Sequence, residues 1–211
     1  GQVILRARKI PGISQVVVAT DDLRIAEVAT AFKVEVVMTR ADHRSGTDRV
    51  AEAAGQLHLA PETLVVNCQG DQPFLPIEAV TDLITRHQAH PEWPMSTLIY
   101  CITNPAEIPD PKHVKTVFNQ SGQALYFSRS PIPYFREAED GPVYYKHLGI
   151  YAYTRSFLQI FALLPTGLLE AAEKLEQLRA LESGYPVQVI ESAQDSFEVD
   201  SPADLHFFSD E

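Results

Sequence analysis

Short apolar runs rich in β-branched residues alternate with stretches whose apolar positions recur every three or four residues, and Gly, Pro, Asp or Asn punctuates the boundaries. Gln15 to Thr20 (Gln-Val-Val-Val-Ala-Thr) reads as a strand. Asp21-Asp22 then opens a helix to about Phe32, with Leu23, Ile25, Ala26, Val28 and Ala29 on its apolar side. Val34 to Thr39 predicts a second strand, Asp48 to Leu57 a helix, and Thr63 to Gln69 a third strand buried on both faces. A helix from Pro76 to His87 and a strand from Met95 to Ile102 follow. Such a βαβαβα order favours parallel pairing, right-handed crossovers and a site at the carboxyl edges of the strands.

The second half changes character. Val114–Asn119 and Gln123–Arg129 read as two strands joined at Gln120-Ser121-Gly122, a hairpin signal. A polar, proline-containing excursion from Ser130 to Tyr145 precedes a strand at His147–Thr154. Leu168, Ala171, Leu175, Leu178 and Leu181 form one stripe of a single helix over Leu168–Glu182, ended by Gly184-Tyr185-Pro186. Val187–Glu191 is a late strand, and Asp200-Ser201-Pro202 opens a terminal helix. There are no internal repeats and no linker-like composition, so residues 1–211 read as one α/β domain.

Composition narrows the function classes. The formal charge of −11 argues against a protein that tracks nucleic-acid phosphates, and no apolar run is long enough to span a membrane. If the substrates are anionic, cations must be concentrated in the site. Cys68 and Cys101 lie in apolar strand-like runs and read as buried free thiols, which suits a cytoplasmic setting. The histidines His58, His87, His90, His113 and His206 lack ligand-spaced neighbours and read as solvated.

The most informative position is Asp71. It follows the third strand and Gly70, and Pro73 stops the ladder just beyond it. A carboxylate at the carboxyl edge of a sheet suits Mg2+ carrying a nucleotide's phosphates, and equally suits a cap of the next turn. The residues alone leave both open.

Six ordered segments carry a family resemblance. They are Met38-Thr39-Arg40-Ala41-Asp42-His43-Arg44-Ser45-Gly46-Thr47-Asp48-Arg49, Asn67-Cys68-Gln69-Gly70-Asp71-Gln72-Pro73 and Ala124-Leu125-Tyr126-Phe127-Ser128-Arg129. To these add His147-Leu148-Gly149-Ile150-Tyr151-Ala152-Tyr153, Leu175-Glu176-Gln177-Leu178-Arg179 and Val199-Asp200-Ser201-Pro202-Ala203-Asp204-Leu205. Together the chain resembles the 3-deoxy-manno-octulosonate (Kdo) cytidylyltransferases. The resemblance implies a three-layer α/β sandwich of the nucleotide-diphospho-sugar transferase type, with a mostly parallel central sheet and an antiparallel hairpin excursion. It implies transfer of CMP from CTP to Kdo for lipopolysaccharide synthesis, Mg2+ dependence, and a cytoplasmic homodimer whose dimerisation and sugar-binding excursion spans about 120–155. The family also opens with a strand and a basic loop of the type Pro-Ala-Arg-x-x-Ser-x-Arg-Leu-Pro-x-Lys. No such segment occurs here, so an N-terminal truncation with impaired activity is the expectation.

The resemblance assigns roles residue by residue. Asp71 and Asp200 are the implied Mg2+ ligands, with an N-cap as the competing reading of Asp200. Arg40, Ser45, Gly46 and Thr47, with Gln69, are implied on the cytidine side, where backbone amides and small side chains suit a pyrimidine edge. His43 is expected to orient that loop. Arg129 is the candidate clamp for the sugar carboxylate. His147 and Tyr151, four apart in a strand, share a face and offer donors to sugar hydroxyls. Glu176 and Gln177 face the same polyol, unless Glu176 merely pairs with Arg179. Lys115 is either a phosphate contact or an exposed edge-strand lysine. A related CMP-sugar synthetase, such as one for sialic acid, and a catalytically inactive dimerisation fragment are the competing readings.

Overall fold

The computed structural model describes residues 1–137, 143–197 and 199. In chain order the elements are α1 (Gln2–Ala7), β1 (Val17–Thr20), α2 (Leu23–Ala31), β2 (Glu35–Met38), α3 (Gly46–Gln56), β3 (Leu64–Asn67), α4 (Ile77–Ala89) and β4 (Met95–Cys101). They continue with β5 (Lys115–Phe118), β6 (Ala124–Ser128), β7 (Tyr145–Thr154), α5 (Arg155–Leu163), α6 (Leu168–Glu173), α7 (Gln177–Glu182) and β8 (Val187–Ser192). The expected α/β architecture forms.

β1 and β2 make a parallel two-stranded ladder, and the other six strands form a second sheet in the order β6-β5-β7-β4-β8, with β3 also on β7. β3, β4, β5 and β8 run one way and β6 and β7 the other, because β3, β4 and β5 each pair antiparallel with β7 while β4 and β8 pair parallel. The reversed strand sits in the middle of the sheet. β3 therefore meets β7 and not the parallel neighbour that its position in the βαβ order predicts.

Alternation along the strands builds two cores. Met95, Ile99, Tyr151, Tyr153, Val187 and Val189 face one side and meet Phe157, Leu158 and Phe161 of α5 and Leu178 of α7. Leu98, Leu148, Ile150, Ala152 and Ile190 face the other and meet Val80, Leu83 and Ile84 of α4. This period-two division between two helical layers is the three-layer sandwich.

Several local expectations are corrected. The stretch over Leu168–Glu182 is two helices, because Lys174 takes a left-handed conformation (φ 56°, ψ 45°) that ends α6. The break leaves Leu168 exposed while Leu175 and Leu178 stay buried. α5 escapes the sequence reading because strand and helix share a residue: Thr154 closes β7, and its hydroxyl accepts the Phe157 amide at 3.2 Å as the helix N-cap. On α2, Leu23, Ile25 and Val28 are exposed, and only Ala29 is buried, against Ile4 and Val34. β3 is half-buried along Leu64–Val66, with only Asn67 fully buried. Lys115 is fully buried and donates to the carbonyls of Asp110 and His113, so it is neither an exposed edge residue nor open to a phosphate. Cys68 and Cys101 are free thiols, but half-buried where full burial was expected. The helix expected from Asp200 lies outside the described residues.

His87 is another correction. It is buried against Trp93, with Nδ1 2.7 Å from the Ser96 hydroxyl, and burial pushes its imidazole down to about 4. His147 is likewise pushed down by burial, to about 3. The folded chain thus binds fewer protons than the unfolded chain, whose histidines titrate near 6.5. Stability is full above pH ~6.5 and falls as the pH drops toward 4, by roughly 3 kcal/mol at most for His87. Urea denaturation midpoints should trace that fall, and His87→Gln should flatten it, with the residual slope shared by His147, by His113 and by carboxylates held low by their hydrogen bonds, such as Glu52 and Glu173. An equally steep profile in His87→Gln would contradict the assignment.

Candidate active site

The loop after β3 builds the first part of the site. Gly70 and Asp71 are exposed, and a Cβ at Gly70 would meet nothing within 4 Å, so the approach to this turn is open. The Asp71 carbonyl accepts the Val199 amide at 2.8 Å. Asp71, Gly70, Pro73, Val199 and the start of α1 line an open cleft of 490 Å³. No Lys or Arg is among those lining residues. Gln72 turns inward, is fully buried, and donates from Nε2 to the Leu148 carbonyl at 2.6 Å, which ties this loop to β7. Asp200 lies outside the described residues. Among the described residues no group of three or more His, Cys, Asp or Glu side chains gathers as a metal centre. Asp71 alone fits a Mg2+ ion that keeps most of its water and takes one or two protein carboxylates.

The second part is the N-terminus of α3. Ser45 is its N-cap, accepting the Asp48 amide at 3.1 Å. A Cβ at Gly46 would come 3.1 Å from Gln69 Nε2, so glycine there lets the helix start approach the end of β3. Thr47 is fully buried and gives both its amide (3.1 Å) and its hydroxyl (2.8 Å) to the Glu176 carboxylate. Its oxygen also lies 2.9 Å from the Tyr153 hydroxyl, which accepts from Asn67 Nδ2 at 3.0 Å. Proton accounting gives this chain one direction: Asn67 donates to Tyr153, Tyr153 to Thr47, and Thr47 to Glu176. Glu176 therefore joins the starts of α7 and α3 through both oxygens. It makes no pair with Arg179, which is buried between Glu170 (2.6 Å) and Asp48 (2.8 Å) and stacked over Phe161.

The third part is a bulge in β7. Thr97 of β4 stands opposite Tyr151 and Ile99 opposite His147, so two steps on β4 span four on β7. Gly149, at φ 66°, supplies the left-handed residue this excess requires. In a regular strand His147 and Tyr151 would stand about 13 Å apart. The bulge brings their rings to 5.2 Å, with Phe127 5.1 Å from His147 on another side. Tyr151 donates to Gln177 Oε1 at 3.2 Å, and the buried Gln177 Nε2 has no protein acceptor among the described residues. Arg129 is half-buried at the end of β6, with Nε donating to the Glu173 carbonyl (2.8 Å) and Nη1 to the Pro111 carbonyl (2.9 Å).

Arg40 is placed apart from these. It is exposed, paired with Asp42 at 3.0 Å, and lines a separate 950 Å³ groove with His43, Glu52 and the end of α5. His43 ties its loop to α3 through a hydrogen bond between its Nε2 and the Glu52 carboxylate. Gln69, Gly46, Thr47, Glu176, Tyr151, Gln177 and His147 are thus linked directly or through Tyr153, on the face of the sheet that α3, α5 and α7 cover.

A sequence profile of the family described as "Cytidylyltransferase" matches residues 1–192. The chain belongs to the cytidylyltransferase family. Among curated members, the 8-amino-3,8-dideoxy-manno-octulosonate cytidylyltransferase of Shewanella loihica is 53% identical over 201 residues, covering 95% of this chain and 82% of that protein. Its counterpart in Shewanella oneidensis is 52% identical over the same length. A solved structure of CMP:2-keto-3-deoxy-manno-octonic acid synthetase complexed with CTP superposes with a TM-score of 0.90 at 42% identity, over 98% of this chain and 84% of that one. A 4-diphosphocytidyl-2C-methyl-D-erythritol synthase shares the fold at a TM-score of 0.63 and 17% identity. As a cytidylyltransferase the chain is a nucleotidyltransferase, and none of its described helices is long and apolar enough to cross a membrane.

Within this cytidylyltransferase the sequence reading passes over Asn67, Gln72, Thr97, Gly149 and Tyr153. Buried Ser96 and Thr97 inside an apolar strand were the available signal, since polar groups in such runs need named partners.

Proposed function

We propose that the chain acts in the cytoplasm and transfers CMP from CTP to a 3-deoxy-manno-octulosonate-type sugar acid, releasing diphosphate, with the product serving lipopolysaccharide synthesis. The observation that carries this reading is the placement of the Asp71 loop. Gln69 abuts Gly46 of α3 on one side, and Gln72 holds the bulged strand of His147 and Tyr151 on the other. Asp71 so stands between an element suited to a nucleotide and one lined with polyol-binding groups.

In the proposed reaction the anomeric hydroxyl oxygen of the sugar attacks the α-phosphorus, a new P–O bond forms, and the bond to the β-phosphate's bridging oxygen breaks. Diphosphate leaves with that electron pair, and the hydroxyl proton passes to solvent. Asp71 and Asp200 hold Mg2+ in this reading, supported by the hydrogen bond that seats Val199, the residue before Asp200, on the Asp71 carbonyl. The metal, when bound, neutralises phosphate charge and lowers the pKa of the attacking hydroxyl. Gly46, Thr47 and Gln69 carry the cytidine, with Ser45 shaping the turn. Arg129, His147, Tyr151 and Gln177 receive the sugar acid, and Gln177 Nε2 gains there the acceptor it lacks. Glu176 contributes by ordering Thr47.

Diphosphate release from CTP tests the reading. Release with Kdo and none with sialic acid supports it, and CTP binding with no release for any octulosonate contradicts it. The identity of the curated relatives favours a second form, the 8-amino sugar, and the ratio of kcat/KM for the two octulosonates decides between them. Homodimerisation through the excursion belongs to the same proposal, supported by exposed Tyr134 (89%) and Val143 (52%). Light scattering should give the mass of two chains, and the mass of one would set that part aside.

A further inference from the structure

The Thr97 hydroxyl lies 2.7 Å from the Ile150 carbonyl and 2.9 Å from His147 Nε2, and the side chain is fully buried. A threonine hydroxyl has one proton and two lone pairs, and a carbonyl only accepts. The proton therefore goes to Ile150, and the Thr97 oxygen must accept from His147. Only the Nε2–H form of the imidazole can donate there. Burial disfavours the doubly protonated ring, so the second nitrogen, Nδ1, carries a lone pair at neutral pH.

Position in the fold makes this arrangement rigid. Ile150 belongs to the extra residues of the β7 bulge, so the same hydroxyl closes the bulge and meets the imidazole it displaces. Phe127 and Tyr151 pack against the ring, which opposes the flip that would exchange its nitrogens for carbons.

We propose that Thr97 is a positioning and specificity-determining residue: it fixes His147 as the Nε2–H tautomer, leaving Nδ1 as an acceptor that selects a sugar group able to donate a hydrogen bond. This rests on the reading of His147 as a sugar-binding group, and it reverses the part that residue was expected to play, from donor to acceptor. A hydroxyl at that point of the ligand fits, and an acceptor-only substituent such as a methyl ether or fluorine does not.

Long-range proton–nitrogen NMR of the labelled chain tests the tautomer without any need for turnover. His147 should show a protonated Nε2 and an unprotonated Nδ1 at neutral pH. Thr97→Val should shift it toward a mixture of tautomers, and Thr97→Ser should restore the original pattern. Titration calorimetry with Kdo in the presence of CTP, with divalent metal removed so that no turnover occurs, should show about tenfold weaker sugar binding for Thr97→Val and less than about twofold change for Thr97→Ser. A protonated Nδ1 in the unsubstituted chain, or a tautomer and sugar affinity unmoved by Thr97→Val, overturns the inference. Should Thr97→Val fail to fold, the spectrum of the unsubstituted chain and of Thr97→Ser still decides. Failure of the functional reading looks different: the unsubstituted chain then binds no Kdo while keeping the Nε2–H tautomer.

Discussion

Asp71→Asn should lower diphosphate release roughly a thousandfold, the scale of several kcal/mol of lost charge stabilisation by a divalent ion. The fold should survive, because asparagine matches the aspartate in shape and keeps the backbone carbonyl that accepts the Val199 amide. The unfolding free energy is expected to shift by no more than about 1 kcal/mol. Activity within a few-fold of the unsubstituted protein would remove Asp71 from the machinery. A large loss accompanied by a collapsed denaturation midpoint would make its role structural.

Arg179→Met should produce the largest loss of stability, about 3–5 kcal/mol. Arg179 is 2% exposed and bonds two carboxylates, Asp48 in the first turn of α3 and Glu170 of α6. Methionine retains much of the stem over Phe161 but leaves both acids without their shared cation. Glu170→Gln added to Arg179→Met should recover part of the loss, since one carboxylate then remains in place of two. Because α3 begins at Gly46, nucleotide affinity should fall along with stability. Chemical denaturation of the single and double variants measures this, and a loss under about 1 kcal/mol for Arg179→Met would contradict a buried ionic link between α3 and α6.

Much of this was legible in the chain. Strands and helices up to Cys101 followed from alternation and capping, because local patterns decide there. The Asp71 turn was legible for the same reason, a polar stop after an apolar run. What stayed hidden depended on long-range partners. The reversed strand β7 takes β3 as its neighbour, and no local signal in Thr63–Gln69 encodes that choice. Glu176 was assigned to the sugar, with pairing to Arg179 as the competing reading, but the left-handed Lys174 ends α6 and the carboxylate meets Thr47, 129 positions away. His147 and Tyr151 were rightly placed on one face, yet their contact needs the bulge at Gly149, which a four-residue spacing does not announce. Thr97 and Asn67 owe their importance to partners on β7 and so read as ordinary strand residues.

Anomalous scattering from crystals grown with CTP and Mn2+ would show whether the Asp71 cleft takes the metal-bound nucleotide. A manganese peak is expected within coordination distance of the Asp71 carboxylate, with the triphosphate beside it and the cytosine toward Gly46. A nucleotide seated instead in the groove lined by Arg40 and His43, with no metal at Asp71, would contradict that expectation.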